Sequence, residues 1–261
     1  MKEMINELIQ YRHLLYMLAW RDIKIKYKQS VMGFMWAIFM PMMIVAAGIL
    51  VRKAFSMLSG NPMDIKEVAS VSVKAIPWAF FVGSIRFATN SLTSNMNLVT
   101  KIYFPREVFP LSAVLANLFD FIVASAVLIV ILTIAGIGVS IHLVWIPLLL
   151  ILLILLTVGL GMLLACANLF FRDVKYIVEV ILTFGIFFTP VFYEAEMFGK
   201  WASVLLLNPI GAILESINTV VVLHHPPDMF WIGYSALWAI GGLVFPWIIF
   251  HKAEFTFAEN I

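Results

Sequence analysis

The sequence predicts an all-α polytopic membrane protein, and three observations predict it. Of the 261 residues, 63% are hydrophobic and only 12% are charged, about half the charged share of a soluble domain. The mean hydropathy is +1.01. Apolar runs long enough to cross a bilayer recur along the chain. A soluble protein of this length could not bury so much apolar surface around one core. Composition therefore excludes a soluble enzyme, a disordered chain and a disulfide-rich secreted domain. A net charge of +2 is too small to indicate a nucleic-acid partner. The single cysteine, Cys166, lies inside an apolar run and forms no intrachain disulfide. The N-terminus does not read as a cleavable signal, because Lys2, Glu3, Glu7, Arg12, Arg21, Asp22, Lys24, Lys26 and Lys28 leave no apolar core before a small-residue cleavage site.

A spanning helix needs about 20 mostly apolar residues, and six segments meet this: 31–51, 75–98, 108–137, 145–171, 176–193 and 229–250. Within them the only charges are Arg86, Asp120 and Glu179. Five spans result if the polar stretch 90–97 disqualifies the second, and seven if 201–222 crosses. That last stretch is interrupted by Asn208, Pro209, Glu215 and Asn218. A broken apolar segment of this kind fits a re-entrant pair of outer helices, 194–222, between spans five and six. The chain thus reads as one transmembrane domain over 1–261, with 1–30 as a cytoplasmic interface segment.

Lysine and arginine placement sets the orientation. With the N-terminus inside, the inner segments hold 11 basic residues and the outer ones 5, so both termini are expected in the cytoplasm. Trp78, Trp145 and Trp231 then fall at outer ends, where amphipathic rings favour the headgroup region.

Motifs for catalysis are nearly absent. No G-x-x-x-x-G-K-[ST] is present to cradle ATP phosphates, and no H-E-x-x-H or paired-aspartate pattern suggests a metal. His224 and His225 are neighbours that point apart and lead into Pro226 and Pro227, which reads as a turn. Nothing has the density of Asp, Lys or Arg that a membrane transferase acting on polyprenyl lipids would need.

Four features stand above this background. Ile5, Leu8, Ile9, Leu15, Leu18 and Ala19 recur at helical spacing, predicting an amphipathic helix at the inner interface. It leads into Arg21-Asp22-Ile23-Lys24-Ile25-Lys26-Tyr27-Lys28, which reads either as a positive-inside anchor or as a protein-docking surface. The inside loop 97–107 clusters Ile102, Tyr103 and Phe104 between Lys101 and Arg106, as a knob for a partner's cleft or as a segment lying flat on lipid. Arg86 sits within the second span, where charge is costly and tends to face a bundle interior or a watery path. Asp120 and Glu179 are its candidate partners. Asn90, Ser94 and Asn97 follow at i, i+4 and i+7, predicting one polar stripe. Trp78, Phe80, Phe81, Phe187, Phe188, Phe192, Tyr193 and Trp201 cluster toward the outer side, as an interfacial belt or as stacking faces for sugar rings.

At this level the chain resembles the permease subunits of ABC exporters for cell-surface polysaccharides, the ABC-2 permease group. The resemblance rests on Arg21-Asp22-x-Lys24-x-Lys26-Tyr27-Lys28-x-Ser30-x-Met32-Gly33-x-x-Trp36 with Pro41, then Pro77-Trp78-x-Phe80-Phe81. Asn97-Leu98-Val99-x-Lys101-Ile102-x-Phe104-Pro105 and Asn168-x-x-Phe171-Arg172-Asp173-Val174 continue it, and Thr189-Pro190-Val191-x-Tyr193 and Asn208-Pro209 complete the order. It covers nearly the whole chain. Arg86 is not part of it.

The resemblance implies a homodimer that binds two copies of a separate nucleotide-binding ABC ATPase. That ATPase holds ATP and magnesium, so no cofactor is expected in this chain. The coupling helix would span 97–105, with Asn97, Lys101, Ile102, Tyr103, Phe104, Pro105 and the adjoining Arg106 as coupling residues. Further ATPase contacts would come from Arg21, Asp22, Lys24 and Lys26 and from the turn at Arg172 and Asp173. The cargo implied is a polysaccharide on an undecaprenyl diphosphate lipid, O-antigen-like, moving through the bacterial inner membrane. Teichoic acid or capsule by the same route is the alternative cargo. The expected substrate path combines Arg86, Asn90, Ser94, Trp78, Phe80, Phe81 and Tyr193. Two rival classes stand beside it: a self-contained ion-coupled carrier using Arg86, Asp120 and Glu179, and a polyprenyl-lipid transferase.

Overall fold

The computed structural model describes residues 2–28, 30–59, 64–101 and 104–254, and these are helical with no strand among them. Two short helices, α1 (Lys2–Gln10) and α2 (Arg12–Tyr27), precede the bundle. Then come α3 (Trp36–Ser59), α4 (Ile65–Ser94), α5 (Met96–Lys101), α6 (Val108–Ile134) and α7 (Ile146–Phe170). After these the chain forms α8 (Val174–Phe188), α9 (Ala202–Leu206), α10 (Pro209–Val221) and α11 (Met229–Glu254). Among the described residues, five helical segments are long and apolar enough to cross a bilayer: Gly33–Ala54, Ile65–Ser94, Val108–Ile134, Ile141–Phe170 and Met229–Ala253. With exposed side chains such as Met40, Leu50, Ile129, Phe187, Trp238 and Phe245 on the outside, this is an integral membrane protein.

α4 is the central helix. It packs against α3, α6, α7, α8 and α10 and is buried along most of its length. It begins ten residues before the predicted second span, capped by Asp64, whose carboxylate accepts from the Ile65 N–H. The sequence boundary stopped at the charges Lys66, Glu67 and Lys74. The helix carries Lys74 inside and satisfies it there. Trp78, expected at an outer end, is consequently mid-helix and buried. Arg52 and Lys53, just past the predicted first span 31–51, likewise lie inside α3.

The fifth predicted span, 176–193, corresponds to a helix of 15 residues, roughly 22 Å at 1.5 Å per residue. It ends at Phe188 because Pro190 disfavours helical geometry in the residue before it, and Thr189 is extended at φ −113°, ψ 134°. Beyond it the chain forms a 3₁₀ turn, Ala195–Trp201, then α9 and α10, broken at Asn208–Pro209. Asn208 caps α10 by accepting from the Ile210 N–H at 3.2 Å and donates to Thr189 Oγ1 at 2.9 Å. Two motifs 19 residues apart therefore meet at one junction between α8 and α10.

Glycine decides the closest helix contact. A methyl group on Gly159 of α7 would lie 1.8 Å from the Gly242 carbonyl oxygen of α11, so the two backbones touch. The core divides into a large cluster through the body of the bundle and a smaller one at the end where α2 and α5 lie. That smaller cluster joins Leu18 of α2, Val99 of α5, Phe104, Phe109, Cys166, Leu169 and Phe250.

Candidate functional site: an intramembrane cleft and the helices beside it

At the α2/α5 end, α4 stops at Asn95, whose amide donates back to Ser91 O at 2.8 Å. The stop removes the predicted stripe. Asn97 belongs to α5 and is exposed, while Asn90 donates to Arg86 O at 3.0 Å and Ser94 faces outward. Lys101 ends α5. Ile102 and Tyr103 lie outside the described residues. Phe104, expected as part of an outward knob, is buried with its ring 5.4 Å from that of Phe109. The start of α6 supplies an apolar pocket for it within the same chain. Pro105 and Arg106 are half-buried, and Arg172 and Asp173 are exposed in the α7–α8 turn. Asn168 holds that turn: it donates to Thr89 O at 3.0 Å and accepts from the Lys175 N–H at 3.2 Å. Beside these, burial raises the carboxyl pKa of Glu107, against the lowering influence of His251 at 3.7 Å.

The basic motif on α2 does not all face one way. Lys24 is exposed and lies over the Trp20 ring, and Arg21 is held by Asp22 at 2.8 Å. Lys26, expected on the ATPase side, turns inward instead. Its ammonium donates to Asn117 Oδ1 at 2.8 Å and to Asp120 Oδ2 at 2.9 Å, and its side chain is 13% exposed. Tyr27 donates to the other Asp120 oxygen at 2.5 Å. Burial and the neighbouring carboxylate raise the pKa of this phenol, so it stays protonated as a donor.

These residues open onto a cleft of about 700 Å³ between α3, α4, α6 and α8. Arg86 lines it and is paired with Glu179 through two bonds, Nε–Oε1 at 2.6 Å and Nη2–Oε2 at 2.8 Å. Of the two predicted partners, Glu179 takes Arg86 and Asp120 takes Lys26. The side chains of Arg86 and Glu179 are 45% and 43% exposed. Trp78 and Phe80 also line the cleft, although both are otherwise buried, whereas Phe81 packs into the core beside Trp78. The predicted aromatic path is thus partly core. Tyr193 lies apart, its hydroxyl donating to Phe187 O at 2.9 Å.

At the opposite end lies a charge network that sequence reasoning missed. Lys74 is fully buried and donates to Tyr193 O at 2.6 Å and to Glu215 of α10 at 3.3 Å. Arg52, also buried, sits between Glu67 at 3.3 Å and Glu194 at 3.7 Å. Together they tie α3, α4, α10 and the 3₁₀ turn. The available signal was a lone cation and a lone acid, each inside an otherwise apolar run.

The chain is thus a polytopic helical membrane protein whose bundle holds ion pairs beside a cleft. Residues 13–221 match the ABC-2 type transporter family, and the chain belongs to that family. It is 28% identical over 270 residues, across the whole of both chains, to a Myxococcus xanthus protein named O-antigen export system permease protein RfbA. Two Klebsiella pneumoniae proteins of the same name are 28% identical over 256 residues and 27% identical over 259, each covering 94% of both chains.

Proposed function

We propose that the chain is the transmembrane subunit of an ATP-driven exporter that moves lipid-linked, O-antigen-like polysaccharide from the cytoplasm to the outer face of the bacterial inner membrane. The observation that carries this is end-to-end similarity to proteins named as O-antigen export permeases, within a family match that spans most of the chain. Two copies form the conduit, and two ATPase subunits supply hydrolysis, since the sequence has no phosphate-binding loop of its own. ATP and magnesium belong to that partner. Teichoic acid or capsular polysaccharide is the alternative cargo.

In this reading α8 completes a sixth crossing, and the segment from Ala195 through α10 dips back from the outer side as a cap on the exit. Both termini are cytoplasmic. The α2/α5 end faces the ATPase, with Lys24, Arg21, Asn97, Lys101, Arg106, Arg172 and Asp173 as contact residues. The cleft beside Arg86, Asn90 and Trp78 belongs to the cargo route. A half-exposed bidentate pair supports this placement, because charge left open within a bilayer tends to face water, polar cargo or another protein surface.

A mild-detergent pulldown of the tagged chain from its native membranes tests the reading. A stoichiometric nucleotide-binding subunit should co-purify, and removing the chain should strip polysaccharide from the cell surface. Reproducible absence of that subunit from a folded chain, with transport that follows an ion gradient, would replace the proposal with the self-contained carrier.

A further inference from the structure

α2 has two faces with different neighbours. Tyr16, Met17, Trp20, Lys24 and Ile25 are exposed. The other face is fixed to α6 over two helical turns. Leu18 and Ala19 are buried, Asp22 Oδ2 accepts from Ser112 Oγ at 3.2 Å, and one turn further Lys26 and Tyr27 converge on Asp120. Both oxygens of a single carboxylate are therefore taken by adjacent residues of α2, and Asn117, one turn earlier on α6, takes the same ammonium at 2.8 Å. Bonds in which a partner is ionised are about twice as strong as neutral ones, and here they are partly shielded from water.

The same group of side chains forms a wall of the cleft: Lys26, Tyr27, Asn117 and Asp120 all line it. The Lys26 ammonium also lies 4.4 Å from the centre of the Phe87 ring, next in sequence to Arg86. A displacement of α2 cannot leave the cleft unchanged while this clamp holds. By contrast, Val99 of α5 and the following Phe104 join the bundle through apolar packing, which tolerates sliding better than directed, charge-assisted bonds do.

We infer that Asp120 is a positioning residue that clamps α2 to α6 and carries movement of α2 into the wall of the cleft. This rests on the reading of the chain as an ATPase-driven subunit. Asp120→Asn keeps an oxygen acceptor for Tyr27 and removes the charge that holds Lys26. The readouts are surface glycan, labelled on intact cells by periodate oxidation and a hydrazide, and ATP hydrolysis by the complex purified from the same cells.

The variant should retain wild-type ATPase stoichiometry and hydrolysis while surface glycan falls on the order of tenfold, the scale of one lost charge-assisted bond. The double variant Lys26→Asp with Asp120→Lys should recover most of it. Wild-type surface glycan in Asp120→Asn would overturn the clamp's role. So would a loss of glycan that only tracks loss of assembled protein and is not rescued by the charge swap. A wild-type chain that binds no ATPase and exports without ATP would instead sink the subunit reading itself.

Discussion

Lys74 and Arg86 lie on the same helix, each inside an apolar run and each paired with a glutamate, yet the two pairs differ in their surroundings. The Lys74 side chain is 0% exposed and its partner Glu215 is 16% exposed. A backbone carbonyl and the Ala195 N–H complete their hydrogen bonds. The Arg86–Glu179 pair has better geometry, two short bonds in place of one longer bond, but it stands half open on a cleft. Burial makes the first pair a fastener whose loss leaves an uncompensated charge. Exposure leaves the second worth little to the fold, and under the proposed function it is available to the cargo. One helix thus anchors the α10 end and lines the cleft.

Breaking the buried pair should give the largest effect. Lys74→Met leaves Glu215 without its cation, and removing one partner of a buried pair costs about 3–5 kcal/mol. Thermal unfolding in detergent should show a large drop in midpoint, and adding Glu215→Gln should return much of it. An unchanged midpoint in the single variant would erase the distinction between the two pairs. The open pair should respond in the opposite sense. Arg86→Ala should leave the unfolding midpoint close to wild type while surface polysaccharide falls several-fold, because Glu179 is left charged without its partner beside the cleft. Equal losses of stability and export would make it a second fastener.

A third, smaller effect concerns a buried acid without a full set of partners. One oxygen of Glu107 has no hydrogen-bond partner, and burial raises its pKa. A carboxyl whose pKa is raised on folding stabilises the fold below its unfolded value and loses that contribution as pH rises through the raised one. Wild-type stability should therefore decline across that interval. Glu107→Gln should flatten the decline and be modestly more stable at neutral pH. A variant with the wild-type pH profile would show that His251 offsets the burial completely.

Much of this architecture was legible in the sequence because bilayer thickness imposes a length on apolar runs. The spans 108–137, 145–171 and 229–250 correspond to α6, α7 and α11, with ends shifted by a few residues. The break at Asn208–Pro209 was also legible, because proline cannot continue the preceding helix hydrogen bonds. What could not be read was any feature set by a partner distant in the chain. A window along the sequence treats Lys74 as the edge of a span, since its partner Glu215 lies 141 residues away. Nor could the sequence show that Lys26, which the resemblance offers as an ATPase contact, bonds Asp120, or that Phe104, left open between a partner's cleft and lipid, packs on Phe109. For Arg86, composition narrowed the partner to two acids, and packing chose Glu179.

The contrast between the two faces of α4 and α8 can be measured directly. With Cys166 replaced by alanine, single cysteines are introduced at Thr183, which lines the cleft, and at Ser84, which is fully buried on α4. Intact membranes are then treated with a charged, membrane-impermeant methanethiosulfonate reagent from each side. The account predicts that Thr183→Cys is modified, as a water-filled cleft beside the Arg86–Glu179 pair requires, and that Ser84→Cys is not. Protection of both positions from both sides would contradict it and would return the Arg86 pair to a structural role.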